Sequence, residues 1–97
     1  MPGIHRHSDL RICTATTVVV GQKNVFANNL LVAVQGDPNT HLRGELTPIN
    51  NGVYINYKIV VNNAPTNSLP DELCLRVGPP HCNPMTVQGS TNVFVGS

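Results

Sequence analysis

The chain has 97 residues, which fits a single domain over Met1–Ser97, and 40% of its residues are hydrophobic. Charged residues make up 11% and the net charge is +1; this argues against nucleic-acid binding, which needs a dense Lys and Arg surface. Aromatic residues are only 4%, with no Trp, so the core must come from Val, Leu and Ile. We expect such a thin core to need a metal, a disulfide or a partner.

Taken in chain order, the predicted elements are all strands. The turn residues Gly, Pro and Asn separate them at short intervals, and helix signals are nearly absent. The predicted strands are Thr14–Val20, Asn24–Val34 around an Asn28-Asn29 turn, Val53–Val61, Leu73–Val77 and Thr91–Val95. The turns between them are Gly36–Asn39, Pro48–Gly52, Ala64–Leu69 and Gly78–Pro80. The pattern predicts an all-β fold of short hairpins.

An internal repeat gives more information than the individual strands. Gly21–Asn28 matches Gly89–Gly96 without a gap, and four of the eight positions are identical. We interpret Val60–Asn63 as a degraded middle copy that corresponds to Val25–Asn28, followed by an insertion at about residues 66–74. Three hairpin units in one chain would give the domain approximate three-fold symmetry.

Metal-ligating residues follow the turns of this repeat. Ser8-Asp9 resembles a degraded copy of Gly36-Asp37. Cys13 comes four residues after Asp9, and His41 comes four residues after Asp37, so the two ligands occupy equivalent positions in the repeat. If the units converge on one axis, four candidate ligands meet: Cys13, His41, His81 and Cys82. Two Cys and two His form a closed structural zinc site, with iron as the alternative metal. A closed site activates no water, so its metal contributes folding free energy.

The ligand set has open alternatives. His81 and Cys82 are adjacent, and neighbouring side chains on an extended backbone point apart. Either a turn brings both inward, or His5 or His7 replaces one of them. Cys74 lies in an apolar run and is interpreted as a buried small hydrophobic residue. With an odd number of Cys in a chain expected to be made in the cytoplasm, a metal site is favoured over disulfides.

The sequence contains no arrangement typical of an enzyme, and we predict a non-enzymatic protein. The carboxylates are scattered, and Asp71-Glu72 is interpreted as a solvated pair in a loop. A Cys13–His41 nucleophile pair would lack an oxyanion element. A small metal-dependent enzyme remains the alternative, and an open water position on the metal would favour it.

The N-terminal segment and the hydropathy pattern bear on localisation. Met1–Asp9 is followed by no apolar segment of a secretory signal, and no run of about 18 apolar residues suggests a membrane span. We expect a protein made in the cytoplasm, which another machine carries if it acts outside a cell.

Several motifs resemble the PAAR repeat. Asn24–Asn29 followed by Val32–Pro38 has the order of that repeat, Gly89–Gly96 is closer still, and Leu75–Gly78 matches its Ala-Arg-Val-Gly part. The resemblance covers essentially the whole chain. Departures are Val32-Ala33-Val34 in place of Ala-Ala-Arg, Ser8 in place of Gly, and Pro79 in place of Asp.

The resemblance implies a short conical β structure with a metal at its point. Its blunt face would bind the end of a trimeric β-helical spike, one copy per trimer, in a phage tail or a type VI secretion system, and the point would contact the target membrane transiently. An adaptor tip that recruits effectors non-covalently is the alternative within the family. The candidate spike-binding residues are Val25, Phe26, Val60, Val61, Val93 and Phe94.

Overall fold

The computed structural model describes residues 2–49 and 52–95. Its regular elements are short: β1 (Phe26–Ala27), β2 (Leu30–Leu31), β3 (Tyr54–Ile55), β4 (Lys58–Ile59) and α1 (Cys74–Val77), with 3-10 turns at Ile12–Thr14 and Pro79–His81. Strands β1 and β2 form one antiparallel hairpin, and β3 and β4 form a second. The prediction of a small β-rich fold is confirmed at this level. Parts of three predictions lie outside the described residues: the Pro48–Gly52 turn, the end of Gly89–Gly96 and the start of Met1–Asp9.

Both hairpins turn through two residues with positive φ. These are Asn28 (54°) and Asn29 (66°) in the first hairpin, and Asn56 (51°) and Tyr57 (66°) in the second. Positive φ at both central residues matches the right-handed twist of the flanking strands, and Asn tolerates it better than most residues. The predicted Asn28-Asn29 turn is therefore confirmed.

A ring of three backbone hydrogen bonds connects three segments of the chain, residues 4–6, 32–34 and 60–62. Ala33 N–H donates to the carbonyl of His5 (2.9 Å), His5 N–H to that of Val61 (2.9 Å), and Val61 N–H to that of Ala33 (3.0 Å). Each segment thus binds the next in cyclic order. Bridges between neighbouring residues support the same order: Ile4 with Asn62, Arg6 with Val32, and Val34 with Val60.

The core lies on both sides of this ring, and both halves consist of aliphatic side chains. Side chains of an extended segment alternate in direction, so Val32 and Val34 join one cluster and Ala33 joins the other. The first cluster is Ile4, Ala27, Val32, Val34, Val60 and Val95. The second is Val19, Ala33, Leu46 and Val61. The composition predicted a core of this kind, without aromatic residues.

The chain termini supply a third hairpin-like unit. Ile4 N–H donates to the carbonyl of Val93 (2.8 Å), and Val95 N–H donates to that of Pro2 (3.2 Å). In the same way, Val32 N–H donates to the carbonyl of Val25 (3.0 Å) across the first hairpin. The C-terminal copy of the repeat therefore pairs with the start of the chain instead of with its own return strand.

The predicted position of the middle repeat is wrong. Val60 N–H donates to the carbonyl of Val53 (2.9 Å), which corresponds to the bond from Val32 to Val25. The middle copy is therefore the hairpin of residues 53–60, and Val60–Asn63 contributes to the ring. Sequence identity is too low there to fix the register, whereas the backbone hydrogen bonds fix it directly.

The equivalence of Ser8-Asp9 and Gly36-Asp37 is confirmed. Asp9 Oδ2 accepts from the N–H of Arg6 (2.9 Å), and Asp37 Oδ2 accepts from the N–H of Val34 (2.8 Å). Ser8 and Gly36 both have positive φ, 70° and 90°, which glycine adopts most easily. Each carboxylate closes a turn immediately after a ring segment.

The predicted strand Leu73–Val77 is also wrong, because α1 occupies it. The N–H groups of Val77 and Gly78 donate to the carbonyls of Leu73 and Cys74, and Asp71 Oδ1 accepts from Cys74 N–H (3.1 Å). Leu75 and Val77 are 87% and 61% exposed. The apolar run lies on the surface, so hydrophobic burial does not select an extended conformation for it.

Candidate metal centre

Three loops follow the turns after the ring segments. We call them loop 1 (residues 12–16), loop 2 (residues 40–45) and loop 3 (residues 69–85). The bridges that flank them are cyclic: Arg11 with Thr86, Thr17 with Asn39, and Leu46 with Ser68. The loops also bind one another, because Thr40 N–H donates to Thr16 O, Glu72 N–H to Leu42 O, and Ile12 N–H to Met85 O. Loop 3 is the longest of the three and contains α1.

Loops 2 and 3 bring together a candidate metal-binding group of His41, Asp71 and His81. One donor atom from each residue lies within 4.8 Å of the other two. Nδ1 of His41 is 3.4 Å from Asp71 Oδ2, and Nδ1 of His81 is 3.8 Å from the same oxygen. The two imidazole rings are tilted by 57°, with centroids 5.0 Å apart.

The donor atoms are arranged better for binding a metal ion than for hydrogen bonding to one another. Nδ1 of His41 and Nδ1 of His81 are buried and have no hydrogen-bond partner among the described residues. A buried polar atom without a partner is costly, and a cation between the rings would satisfy both nitrogens. In a tetrahedral zinc site with bonds of about 2.0–2.1 Å, donor atoms stand roughly 3.3 Å apart. The distance from His41 Nδ1 to Asp71 Oδ2 is close to that value. His81 Nδ1 is 3.8 Å from the same oxygen and the three donor atoms lie within 4.8 Å of one another, so a bound ion would have to draw the group together.

Asp71 is held in place by two neighbours. Asn39 Nδ2 donates to Asp71 Oδ2 (3.1 Å), and Cys74 N–H donates to Oδ1 (3.1 Å). Asn39 Oδ1 also accepts from the backbone N–H of His41 (2.8 Å). Asn39 therefore positions two members of the group at once, which is how outer contacts orient the ligands of a metal.

Arg11 lies buried beneath the loops. Its guanidinium donates to the carbonyls of Gly44, Asp37 (2.9 Å) and Pro38 (3.0 Å), and its Nε donates to Thr17 Oγ1 (2.8 Å). Burial lowers the pKa of Arg11 to about 10, against the opposing effect of nearby carboxylates that include Asp71. Arg11, which directly precedes loop 1, therefore binds loop 2 at Gly44 and the turn at Asp37-Pro38.

The structure places the four predicted ligands differently. His41 and His81 lie together. Cys82 Sγ is bonded to Cys74 Sγ in a disulfide, so in this state it is not a thiolate donor. Cys13 is a free, half-buried thiol in loop 1, and it is not a member of the His41 group. The disulfide also corrects the interpretation of Cys74 as an isolated hydrophobic residue.

The reserve ligands His5 and His7 have other partners. Nδ1 of His5 donates to the carbonyl of Gln88 (2.7 Å), and its Nε2 accepts from the Thr17 hydroxyl (2.6 Å). Burial is the main cause that lowers the pKa of His5 to about 4, so its ring is neutral near pH 7. His7 Nδ1 accepts from Val19 N–H (3.0 Å). Within the described residues, neither joins a metal-binding group.

Asp71 is the member that sequence reasoning missed. It was predicted to lie in solvent, yet its side chain is fully buried. The one signal was the density of donors over residues 71–82, where two carboxylates, a His and two Cys fall close together. Nothing in that spacing separates Asp71 from its half-buried neighbour Glu72.

No protein-family model and no curated protein sequence matches this chain. Among the described residues, none of the helices reaches the length and apolar character that a membrane span requires. The resemblance to the PAAR repeat therefore depends on the sequence motifs alone.

Proposed function

We propose that this protein is a non-enzymatic spike tip of the PAAR-repeat type. It is made in the cytoplasm, caps the end of a trimeric β-helical spike of a contractile injection machine, and forms a metal-stabilised point that pierces the target envelope. The observation that carries the proposal is the cyclic hydrogen bonding of Ala33, His5 and Val61 within one chain.

A single chain matches a trimer only if it repeats itself three times. The end of a trimeric β-helix presents three equivalent sets of unpaired strand edges, which a protein must cover to avoid aggregation. The ring segments bond to one another in cyclic order, and bridges join the flanks of the three loops in a cycle as well. This pseudo-three-fold arrangement supports a partner with true three-fold symmetry.

The exposed aromatic residues support a base on the hairpins. Phe26, Tyr54 and Phe94 stand at corresponding positions of the three units, and they are 58%, 51% and 49% exposed. Exposed apolar residues that recur in this way mark an interaction surface. A trimeric spike has three identical sites, one for each of these aromatic side chains.

Two of the predicted spike-binding residues need to be replaced. Val60 and Val61 are 1% and 0% exposed, so they are part of the core and cannot contact a partner. Their places in the middle unit belong to Val53 and Tyr54, which are 41% and 51% exposed. The proposed base is Val25, Phe26, Val53, Tyr54, Val93 and Phe94.

The proposed point is the loop end, with zinc held by His41, Asp71 and His81. All residues of α1 and of the Pro79–His81 turn are half-buried or exposed, so hydrophobic packing alone does little to hold loop 3. A bound zinc ion would supply folding free energy to this part of the chain. The imidazoles approach from two loops, so their ligation would join loop 2 to loop 3.

The test is co-purification with a trimeric β-helical spike protein, with elemental analysis of the same sample. We expect one copy of the tip per trimer and one zinc ion per tip. The triple variant Phe26→Ala/Tyr54→Ala/Phe94→Ala should lose the spike. Tyr57→Ala is the matched control, because Tyr57 is fully exposed on a hairpin turn but lies outside the three repeated positions. Retention of the triple variant on the spike would refute the proposed base.

The metal part of the proposal has its own test. His41→Ala should lower zinc content and thermal stability together, since both depend on the same imidazole. An unchanged zinc content in the folded variant would remove His41 from the site.

The number of donors favours a second candidate, a small metal-dependent hydrolase. Three protein ligands leave one position of a tetrahedral zinc for water, as in catalytic sites. The cobalt-substituted protein separates the two candidates. A water ligand that exchanges and titrates would favour the enzyme, whereas a fourth protein ligand would favour the structural point.

A further inference from the structure

The disulfide and the candidate metal group share the same short piece of loop 3. Cys82 directly follows His81 in the chain. Cys74 N–H donates to both the carbonyl oxygen and the carboxylate Oδ1 of Asp71, each at 3.1 Å. Cys82 is therefore joined to His81 by a peptide bond, and Cys74 is joined to Asp71 by hydrogen bonds. Each cysteine thus adjoins one member of the candidate metal group.

The backbone at Cys82 removes the geometric objection to adjacent ligands. Pro79–His81 is a 3-10 turn, and Cys82 itself is helical, with φ −80° and ψ −25°. Neighbouring side chains on such a turn diverge by roughly 100–120°, in contrast to the 180° of a strand. The side chains of His81 and Cys82 can therefore approach one common point more closely than they could on an extended backbone.

Loop 3 is free to make that adjustment and is open to a reductant. Both cysteines are only half-buried, and residues 75–77, between them, are exposed. The three-donor group lacks the fourth protein ligand of a closed zinc site. Thiolate is the donor that zinc prefers among soft ligands, and Cys82 is the nearest thiol to His81 along the chain.

We propose that Cys82 alternates between two bonds, a disulfide to Cys74 in the oxidised protein and a zinc–thiolate bond in the reduced protein. The inference rests on the proposed metal site and adds redox control to it. A dithiol or a phosphine supplies the two electrons that break the S–S bond. With a phosphine, one water molecule provides the oxygen of the phosphine oxide and the two protons of the new thiols. Cys82 then releases its proton to solvent when zinc binds.

The two states predict different zinc affinities. The oxidised chain offers His41, Asp71 and His81, and the reduced chain adds a thiolate. We expect reduction to tighten zinc binding at least tenfold, and linkage then requires zinc to shift the thiol–disulfide potential by about 30 mV for each tenfold change. Oxidation would loosen the metal, so the tip would hold zinc most firmly in a reducing compartment.

The experiment measures Zn²⁺ affinity by competition with a chromophoric chelator, on the full chain with and without a phosphine reductant. Cys74→Ser and Cys82→Ser are a matched pair, because both abolish the disulfide but only the second removes the proposed ligand. Cys74→Ser should bind Zn²⁺ like the reduced wild type, and Cys82→Ser should bind it at least tenfold more weakly. Equal affinities of the two variants would overturn the inference.

A second readout needs no variant. In the reduced wild type, Zn²⁺ should protect Cys82 from alkylation by iodoacetamide while Cys13 and Cys74 still react, as mapped by mass spectrometry. The cobalt form should show thiolate-to-metal charge-transfer absorption that disappears on oxidation. Protection of Cys13 or Cys74 with Cys82 reactive would refute the assignment.

The variant His41→Ala distinguishes a failure of the redox inference from a failure of the proposed metal site. If His41→Ala abolishes Zn²⁺ binding while reduction leaves the wild-type affinity unchanged, the metal site stands and the redox inference fails. If His41→Ala binds Zn²⁺ like the wild type in both states, the proposed site itself fails.

Discussion

The hydrogen-bonded ring and loop 3 are stabilised in opposite ways within one small chain. In the ring, Ala33 and Val61 are completely buried, and their backbone groups bond from segment to segment. In loop 3, Leu75 is 87% exposed, and the fixed points are a disulfide and a buried carboxylate between two imidazoles. The ring depends on hydrophobic burial, whereas loop 3 depends on specific side-chain chemistry.

This difference indicates how a short chain divides stability and function. A core of Val and Ala needs little volume and allows three segments to approach closely, but it leaves little apolar material for a long loop. Regions with few buried contacts open most easily, so the loop that holds the candidate site is the one that needs covalent or metal links. The predictions below test this division.

The largest effect is expected at Arg11, which is buried and binds loop 2 and the turn after ring segment 32–34. Arg11→Ala leaves the buried carbonyls of Asp37, Pro38 and Gly44 without their donor. Each unsatisfied acceptor costs about 1–3 kcal/mol, so we expect a total loss of about 3–5 kcal/mol in unfolding free energy. Urea unfolding measures it. The control is Arg76→Ala, an exposed arginine of α1, with an expected change within about 0.5 kcal/mol. If Arg11→Ala and Arg76→Ala lowered the unfolding free energy equally, the proposed difference in how the two regions are stabilised would be contradicted.

The ring region should also be sensitive to acid through His5. Its pKa is about 4 in the folded protein against 6.5 for the free side chain, so between those values the unfolded chain binds a proton that the folded chain excludes. Stability is therefore complete above pH 6.5 and falls by about 3 kcal/mol as the pH drops to 4. Protonation would put two donors on the ring, and Nε2 could no longer accept from Thr17.

The measurement is the unfolding free energy of the metal-free protein from pH 7 to pH 4. Asp9 lies beside His5 and favours its protonation, and Arg6 and Arg11 oppose it. His5→Gln should flatten the difference over this window while the remaining groups titrate as before. An identical pH profile for the variant would show that His5 does not titrate as stated.

Zinc should stabilise the protein through loops 2 and 3. At a free concentration of about 100 times Kd, binding adds about 2.7 kcal/mol, which for a chain of this size raises Tm by roughly 10–20 °C. Asp71→Asn should abolish most of that shift, and Cys13→Ser should keep it, because Cys13 lies outside the group. The reverse result would favour the ligand set predicted from the sequence over the one that the structure brings together.

The smallest effect is expected from a comparison of two glycines that both have positive φ. Gly44 has φ +74°, and an added Cβ would lie 2.6 Å from Asn39 Nδ2 and 3.2 Å from Asp71 Cβ. Gly36 has φ +90° with open space around it. Gly36→Ala should cost about 1 kcal/mol from backbone conformation alone. Gly44→Ala should cost roughly 2 kcal/mol and also weaken zinc binding, since it displaces Asn39. Equal zinc affinities would show that Asn39 does not position the group.

Some features could be predicted because they depend on neighbours in sequence. The Asn28-Asn29 turn follows from residues that tolerate positive φ, and the equivalence of Asp9 and Asp37 follows from a repeated turn. The middle repeat could not be placed, because Val53–Val61 has the same apolar character at both ends and only pairing distinguishes them. The helix at Cys74–Val77 could not be predicted either, because its apolar residues Leu75 and Val77 are exposed.

By itself, the sequence determined a small β-rich chain with an aliphatic core and with His and Cys after its turns. Only the tertiary structure decided which of these side chains meet. In that structure Asp71 lies between His41 and His81, Cys82 is bonded to Cys74, and Val60 and Val61 lie in the core. The physical reason is that turns and composition act over a few residues, whereas burial and ligation depend on loops far apart in the chain.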